Sequence, residues 1–241
     1  MGRKPNNPFS QNEIIFTDHD HKYVDKNGNV LISVSQLLSK YSEKFDPDGH
    51  ILRACAKRDG ISPFELQKKW NKKRDDACDL GTRVHEQLEY LFLNNQVDES
   101  APDKDIIQQF SKIEFNGTVF PEILVFSHEI GLAGQSDIAV YNKKDHSVAI
   151  QDLKTNAEIH TKKVYKNLLY PLNHINDTKI DKYSLQISLY CYLLEIKGFK
   201  IREDELCLYW INPERKVEII PIKYLKKDVK KLIKHYTEPA F

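Results

Sequence analysis

The chain has 241 residues, of which 40% are hydrophobic and 29% charged, with a formal net charge of +1. That length can bury a sizeable core in one mixed domain, or in one core with an added subdomain, and the composition argues against a disordered chain. No apolar run follows the first charged residues and no stretch approaches the roughly 18 apolar residues of a membrane span, so neither a secretory leader nor a bilayer partner is expected.

The small net charge hides an asymmetry. Through His160 there are 20 basic and 25 acidic residues, and from Thr161 onward 16 and 10, or about −5 and +6. Such a split marks either a nucleic-acid partner or a solvated lysine face. Cys55, Cys78, Cys191 and Cys207 are scattered without C-x-x-C spacing, which reads as free thiols and supports neither zinc nor an iron–sulfur cluster.

In chain order, residues up to about Gln11 read as a loose polar arm. Ile14–Phe16, Lys22–Asp25 and Val30–Ile32 read as strands, with Asn27-Gly28 supplying a hairpin turn. Ser33 or Ser35 caps a short helix holding Leu37 and Leu38. From about Asp48 to Leu93 the pattern is helical. Ser62, Pro63 and Glu65 form a capping-box signature, and a separate helix is expected to begin near Gly81. A short helix at about Lys104–Asn116 precedes a strand-rich middle: Glu122–Phe126, Ile130–Ala133, Ser136–Tyr141 and Val148–Leu153. A lysine- and asparagine-rich connection leads to a helix at Tyr183–Ile196, a hairpin at Leu206–Ile222 and a basic terminal helix.

The chemistry concentrates in Gly134-Gln135-Ser136-Asp137 and Ile150-Gln151-Asp152-Leu153-Lys154-Thr155. Strand alternation puts Asp152 and Lys154 on one face and Leu153 on the other, and pairing the two strands brings Asp137 close to Asp152. Two neighbouring carboxylates repel unless a cation lies between them, and hard oxygen donors suit Mg²⁺ or Mn²⁺. Lys154 is then placed to orient or deprotonate a water, or to offset charge on a phosphate. The bland alternative is a surface salt bridge on an ordinary hairpin. His85, on the helix expected from Gly81, offers a further ligand from outside the sheet, while Gln186 and Tyr190 lie four apart on one helix face.

In this order, G-T-R-V-H at 81–85, Glu122, G-Q-S-D at 134–137, D-L-K-T at 152–155 and Q-I-S-L-Y at 186–190 resemble the PD-(D/E)XK nuclease superfamily, specifically its RecB-like exonuclease branch. More loosely, I-S-V-S-Q-L-L at 32–38 is similar to the start of phage-type and mitochondrial genome-maintenance exonucleases. The resemblance implies an α/β fold: a central mixed β-sheet flanked by helices, a restriction-endonuclease-like core over residues 81–241, with an N-terminal hairpin and helical subdomain over 1–80. It implies His85, Asp137, Asp152 and the Leu153 carbonyl as metal ligands, with Asp137, Asp152, Lys154 and Glu122 as catalytic residues. Glu129 is a rival to Glu122. Gln186 and Tyr190 would contact DNA or brace the site. The cofactor would be Mg²⁺ or Mn²⁺, with no iron–sulfur cluster, since the cysteine arrangement of the cluster-bearing members is not reproduced.

The expected partner is DNA, single-stranded or with free ends, and the expected activity exonucleolytic. The location would be cytoplasmic, the host cytoplasm for a phage-encoded chain. A structure-specific endonuclease, an RNA nuclease and a non-catalytic DNA-binding module on the same fold are the alternatives. The resemblance also implies that the helices ahead of residue 81 can form an arch over the site. The stretch Lys68-Lys69-Trp70-Asn71-Lys72-Lys73-Arg74 offers a ring among cations, so Trp70, Lys72, Lys73 and Arg74 are candidate DNA contacts, with Lys162, Lys163 and Lys166 opposite.

Overall fold

The computed structural model describes residues 7–9, 11–17, 22–43, 50–161, 164 and 166–238. Lys162 and Lys163, two of the expected backbone contacts, lie outside the described residues. The amino-terminal strands β1 (Ile14–Thr17), β2 (Lys22–Asp25) and β3 (Val30–Ser33) pair antiparallel in sequence. The Asp25 carboxylate accepts from the backbone of Asn27 and Asn29 at 2.8 Å, and Gly28 takes the positive φ of +83° required by the turn between β2 and β3. Ser33, not Ser35, caps the short helix α1 (Val34–Ser39) through a capping box with Gln36.

Helix α2 (His50–Asp59) leads to α3 (Pro63–Asn94), which starts at the expected Ser62/Glu65 capping box. The separate helix expected from Gly81 is a correction: α3 is continuous through it, and the division expected between residues 80 and 81 falls inside α3. A Cβ at Gly81 would lie 3.2 Å from the Thr155 hydroxyl, at the point where α3 crosses the end of the sheet. Thr155 also donates to the Ala77 carbonyl at 3.0 Å.

Helix α4 (Lys104–Phe110) is shorter than expected. The middle segments form β4 (Thr118–Ser127), β5 (Leu132–Asn142) and β6 (Ser147–Lys154), so the segments expected at 130–133 and 136–141 merge into the single strand β5, with Ile130 and Gly131 in the turn before it. After the irregular connection come α5 (Lys179–Glu195), β7 (Lys200–Ile201), β8 (Cys207–Ile211), β9 (Val217–Pro221) and α6 (Lys226–Thr237).

The architecture is α/β: a large mixed sheet of nine strands flanked by six helices among the described residues. β3 runs parallel to β5 and β8 parallel to β6, while β4–β5, β5–β6 and β8–β9 are antiparallel. On one face α1, α5 and α6 contribute Leu37, Leu185, Leu189 and Leu232 against Val125, Ala139, Ile150 and Leu208. On the other, α3 and α4 contribute Val84, Leu88, Ile106 and Phe110 against Ile138, Val140, Leu153 and Tyr209. The first half of α3 packs with α2 in a separate small cluster around Leu52, Ala56 and Leu66. Among the described residues no helix is long and apolar enough to cross a membrane.

Candidate metal centre

The centre is built on a break in the sheet. β4 covers one edge of β5 along nearly its whole length. On the other edge, β3 pairs with Leu132 and Ala133, and β6 pairs with Ile138 onward. Residues 134–137 lie between those two pairings, so the Gly-Gln-Ser-Asp segment lines a notch where β3 and β6 diverge. By continuation of the register, Asp137 would stand opposite Asp152. Instead β6 turns to pair with β8 through Gln151–Lys154, and the Asp137 Oδ2 accepts the Leu153 N–H at 2.6 Å. A side chain thus takes the place of the missing ladder bond. A strand residue sends its N–H and C=O to the same edge, so the Leu153 carbonyl opens onto the notch as well.

Glu122 sits across from Asp137 on β4. Its neighbours pair regularly, Pro121 with Ile138 and Ile123 with Ser136, but Glu122 itself takes φ +50°. That left-handed conformation costs a residue with a Cβ about 1–2 kcal/mol. It accompanies a Glu122 Oε1 that is 3.1 Å from His85 Nδ1. His85 Nδ1 is also 3.6 Å from Asp137 Oδ1. His85, Glu122 and Asp137 offer ligand atoms that all lie within 4.8 Å of one another. Glu129, the rival to Glu122, is exposed in the turn between β4 and β5.

Asp152 stands outside that group of three. By strand alternation it shares the α5 side of β6 with Ile150, while His85 comes from α3, and the two groups still act on each other's charge. The Asp152 Oδ2 is held by the Lys154 ammonium, which also lies 4.8 Å from the centre of the Tyr183 ring. With side-chain exposures of 2% and 17%, Asp152 and Lys154 are not a surface salt bridge.

The electrostatics follow from crowding. Burial disfavours the charged imidazole of His85, but Asp137, Glu122 and Asp152 outweigh it and raise its pKa to about 9. Burial raises Asp152 above the usual carboxylate range and the Asp137 charge adds to this, while Lys154 opposes both. Burial pulls Lys154 down, but Asp152 and Asp137 more than offset it, so the ammonium stays charged. The cluster as it stands borrows positive charge from His85 and Lys154.

Tyr190, expected to touch DNA or brace the site, is buried. Its ring packs on Gly134, where a Cβ would lie 2.4 Å from Cε1, and its hydroxyl accepts from Gln186 at 2.8 Å. Trp70 is about 22 Å from His85 along α3 at 1.5 Å per residue and packs on the α2–α3 cluster. Lys72 pairs with Asp76 at 3.1 Å and Arg74 with Asp75 at 2.9 Å, while Lys73 is exposed beside Trp70 along a groove of about 510 Å³. None of these four converges on the notch. Two tyrosines that the sequence reading passed over do approach it. Tyr183 underlies Lys154, one helical turn before Gln186, and burial together with the Glu122 charge raises the Tyr23 phenol to about 12.

No family model and no curated protein matches the chain. Among solved structures, the crystal structure of SSO0001 is 19% identical over 66% of this chain and 73% of its own, with a TM-score of 0.29. A likeness of that degree carries no argument about function.

Proposed function

We propose that this chain is a metal-dependent nuclease that hydrolyses phosphodiester bonds in DNA, acting as an exonuclease on single-stranded or free-ended substrates. The observation that carries the reading is the convergence, at one break in the sheet, of His85, Glu122 and Asp137 with the Asp152–Lys154 pair alongside. Strained backbone at Glu122 adds support, because such strain persists only where surrounding structure holds it, commonly at functional sites.

The donor set fits a divalent cation. One imidazole and two carboxylates lie within ligating reach, Asp152 is a further buried carboxylate, and the charges these groups now borrow from His85 and Lys154 are those a cation would supply. His85, Glu122, Asp137 and Asp152, with the Leu153 carbonyl, would hold Mg²⁺ or Mn²⁺. A cation there supplies Lewis acidity toward a phosphoryl oxygen and makes water a better nucleophile near neutral pH.

The chain's own groups supply the rest. Lys154 keeps its proton at Nζ under the pull of Asp152 and Asp137, so it acts as a donor that orients water and offsets charge on the phosphate. Tyr183 beneath it and Asp152 beside it limit where that ammonium can point. Asp137 does two jobs, facing His85 with Oδ1 while Oδ2 anchors β6 through Leu153.

The test is digestion of end-labelled linear single-stranded DNA in Mg²⁺ or Mn²⁺, with closed-circular DNA as control, by wild type, Lys154→Ala and Asp137→Asn. The expected result is cleavage of the linear strand alone, lost in both variants. Equal cleavage of the closed circle would replace the exonuclease with an endonuclease. Binding without cleavage in either metal would leave a DNA-binding module.

A further inference from the structure

We propose that the groove between α1 and α5 seats one nucleotide residue of a single DNA strand, adjacent to the phosphate faced by Lys154. This deepens the nuclease reading and rests on it. The groove encloses about 580 Å³, within the usual range of small-ligand sites. One wall carries Ser35, Ser39 and Ser42, and the other Lys182, Tyr183 and Gln186.

Three observations tie the groove to the centre and to this occupant. First, the far wall is shared: the Tyr183 ring that lines the groove also underlies the Lys154 ammonium, and its hydroxyl is fixed by donating to Asn156 Oδ1 at 2.6 Å. Gln186 is fixed in the same way, its amide donating to the Tyr190 hydroxyl behind Gly134. A ligand in the groove is therefore beside the reacting position, with both polar groups already held in place.

Second, among the described residues both charged side chains that line the groove are paired. Lys182 pairs with Asp177 at 2.7 Å, and Glu43 at the groove's edge pairs with Lys166 at 2.8 Å. Among the described residues, what remains to meet a ligand is a set of neutral donors and acceptors over the apolar Leu38, which suits a sugar and a base edge better than a string of phosphates.

Third, the serines present themselves together. Ser35 and Ser39 are exposed and one helical turn apart, and Ser42 continues the same wall. A duplex keeps its bases stacked and paired inside, so it has no single base to lay between two helices; a free strand has. The geometry thus assigns the groove to unpaired nucleic acid.

The experiment is anisotropy titration of a fluorescein-labelled oligothymidylate roughly twelve nucleotides long, with Ca²⁺ in place of Mg²⁺. Ser39→Trp and, independently, Ser35→Trp fill the groove from exposed positions, and Gln108→Trp on α4, in the opposite layer, is the control. Far-UV circular dichroism and a thermal melt verify that each variant is folded. Both groove variants are expected to weaken binding by about tenfold or more, with Gln108→Trp at the wild-type value. Unchanged affinity in both groove variants overturns the proposal. The two readings separate cleanly: if wild type binds without cutting and the groove variants bind weakly, the groove stands and the nuclease falls. If wild type cuts and the groove variants bind as it does, the nuclease stands and the groove falls. Failure of wild type to bind overturns the groove, and the nuclease reading is then decided by the digestion alone.

Discussion

The tightest steric statement in the molecule concerns Gly134, and it can be tested without assuming any activity. An ideal Cβ there would lie 2.4 Å from Tyr190 Cε1, 3.2 Å from Cζ and 3.3 Å from Cδ1. Ordinary carbon contacts lie near 3.5–4.0 Å, so Gly134→Ala demands a displacement of about 1 Å. The ring has little room to give it, being 3% exposed with its hydroxyl tied to Gln186. Overpacking of this kind costs about 1–3 kcal/mol. Gly134 does not have a positive φ, so the same substitution gains up to about 1 kcal/mol from a stiffer unfolded chain. The net expectation is a loss of about 1–2 kcal/mol, or a fall in Tm of roughly 2–8 °C for a chain of this size. Urea denaturation of wild type, Gly134→Ala, Tyr190→Leu and the double variant measures it. The smaller side chain relieves the clash, so the cycle should show a favourable coupling of about 1 kcal/mol. A Gly134→Ala protein as stable as wild type, or energies that simply add, would refute the claim that this glycine exists to admit the Tyr190 ring.

Glu122 gives the second prediction: Glu122→Gly and Glu122→Ala both lose Mn²⁺ affinity by at least about tenfold in calorimetric titration, yet the glycine variant is the more stable by about 1 kcal/mol because φ +50° suits it. Equal stability of the two would show that no strain is stored there. At Asp103, burial raises the carboxyl pKa but bonds from Arg83 and Arg215 outweigh it and hold it below the usual range. A depressed folded pKa contributes stability above pH about 4 that is lost as pH falls through the lowered value. Asp103→Asn should therefore cost about 1–3 kcal/mol at pH 7 and flatten the acid limb of the urea midpoint; parallel acid limbs would remove the network from the stability account. Lys154→Met strands the Asp152 carboxyl without its ammonium and raises its pKa further. A raised acid loses stability as pH increases, so metal-free Lys154→Met should be nearer wild type at pH 5 than at pH 8 in thermal melts; a penalty independent of pH would show that Asp152 stays ionised without its partner.

What was legible in the sequence was local. The Asn27-Gly28 hairpin, the Ser62/Glu65 capping box and the apolar repeat of α5 each declare themselves within a few residues and each formed, although α5 begins at Lys179, four residues before the expected Tyr183. The alternation of Asp152, Leu153 and Lys154 was equally readable, and the structure buries Leu153 against α3 and α4 while Asp152 and Lys154 face α5. What was hidden depends on partners distant in the chain. Gly81 looked like a helix start because nothing nearby reveals that Thr155 passes beneath it. The setting of Trp70 was equally hidden: its ring packs partly on the α2 interface, about 22 Å along α3 from His85. The left-handed backbone at Glu122 has no sequence signature, since glutamate is among the residues least suited to it.

The same distinction explains why Asp137, not Asp152, is the hinge of the centre. Two acids expected to face each other across a hairpin do so only while the hairpin's register continues, and it stops at Ile138 and Gln151. Beyond that point β6 follows β8, and Asp152 turns with it toward Lys154. The backbone donor stranded by the divergence, the Leu153 N–H, must find an acceptor or leave a buried group unpaired. Asp137 supplies it, and in doing so is fixed with its other oxygen toward His85. The break in the ladder therefore creates the need for an acceptor at this position, and Asp137, in meeting it, is left with its other oxygen toward His85.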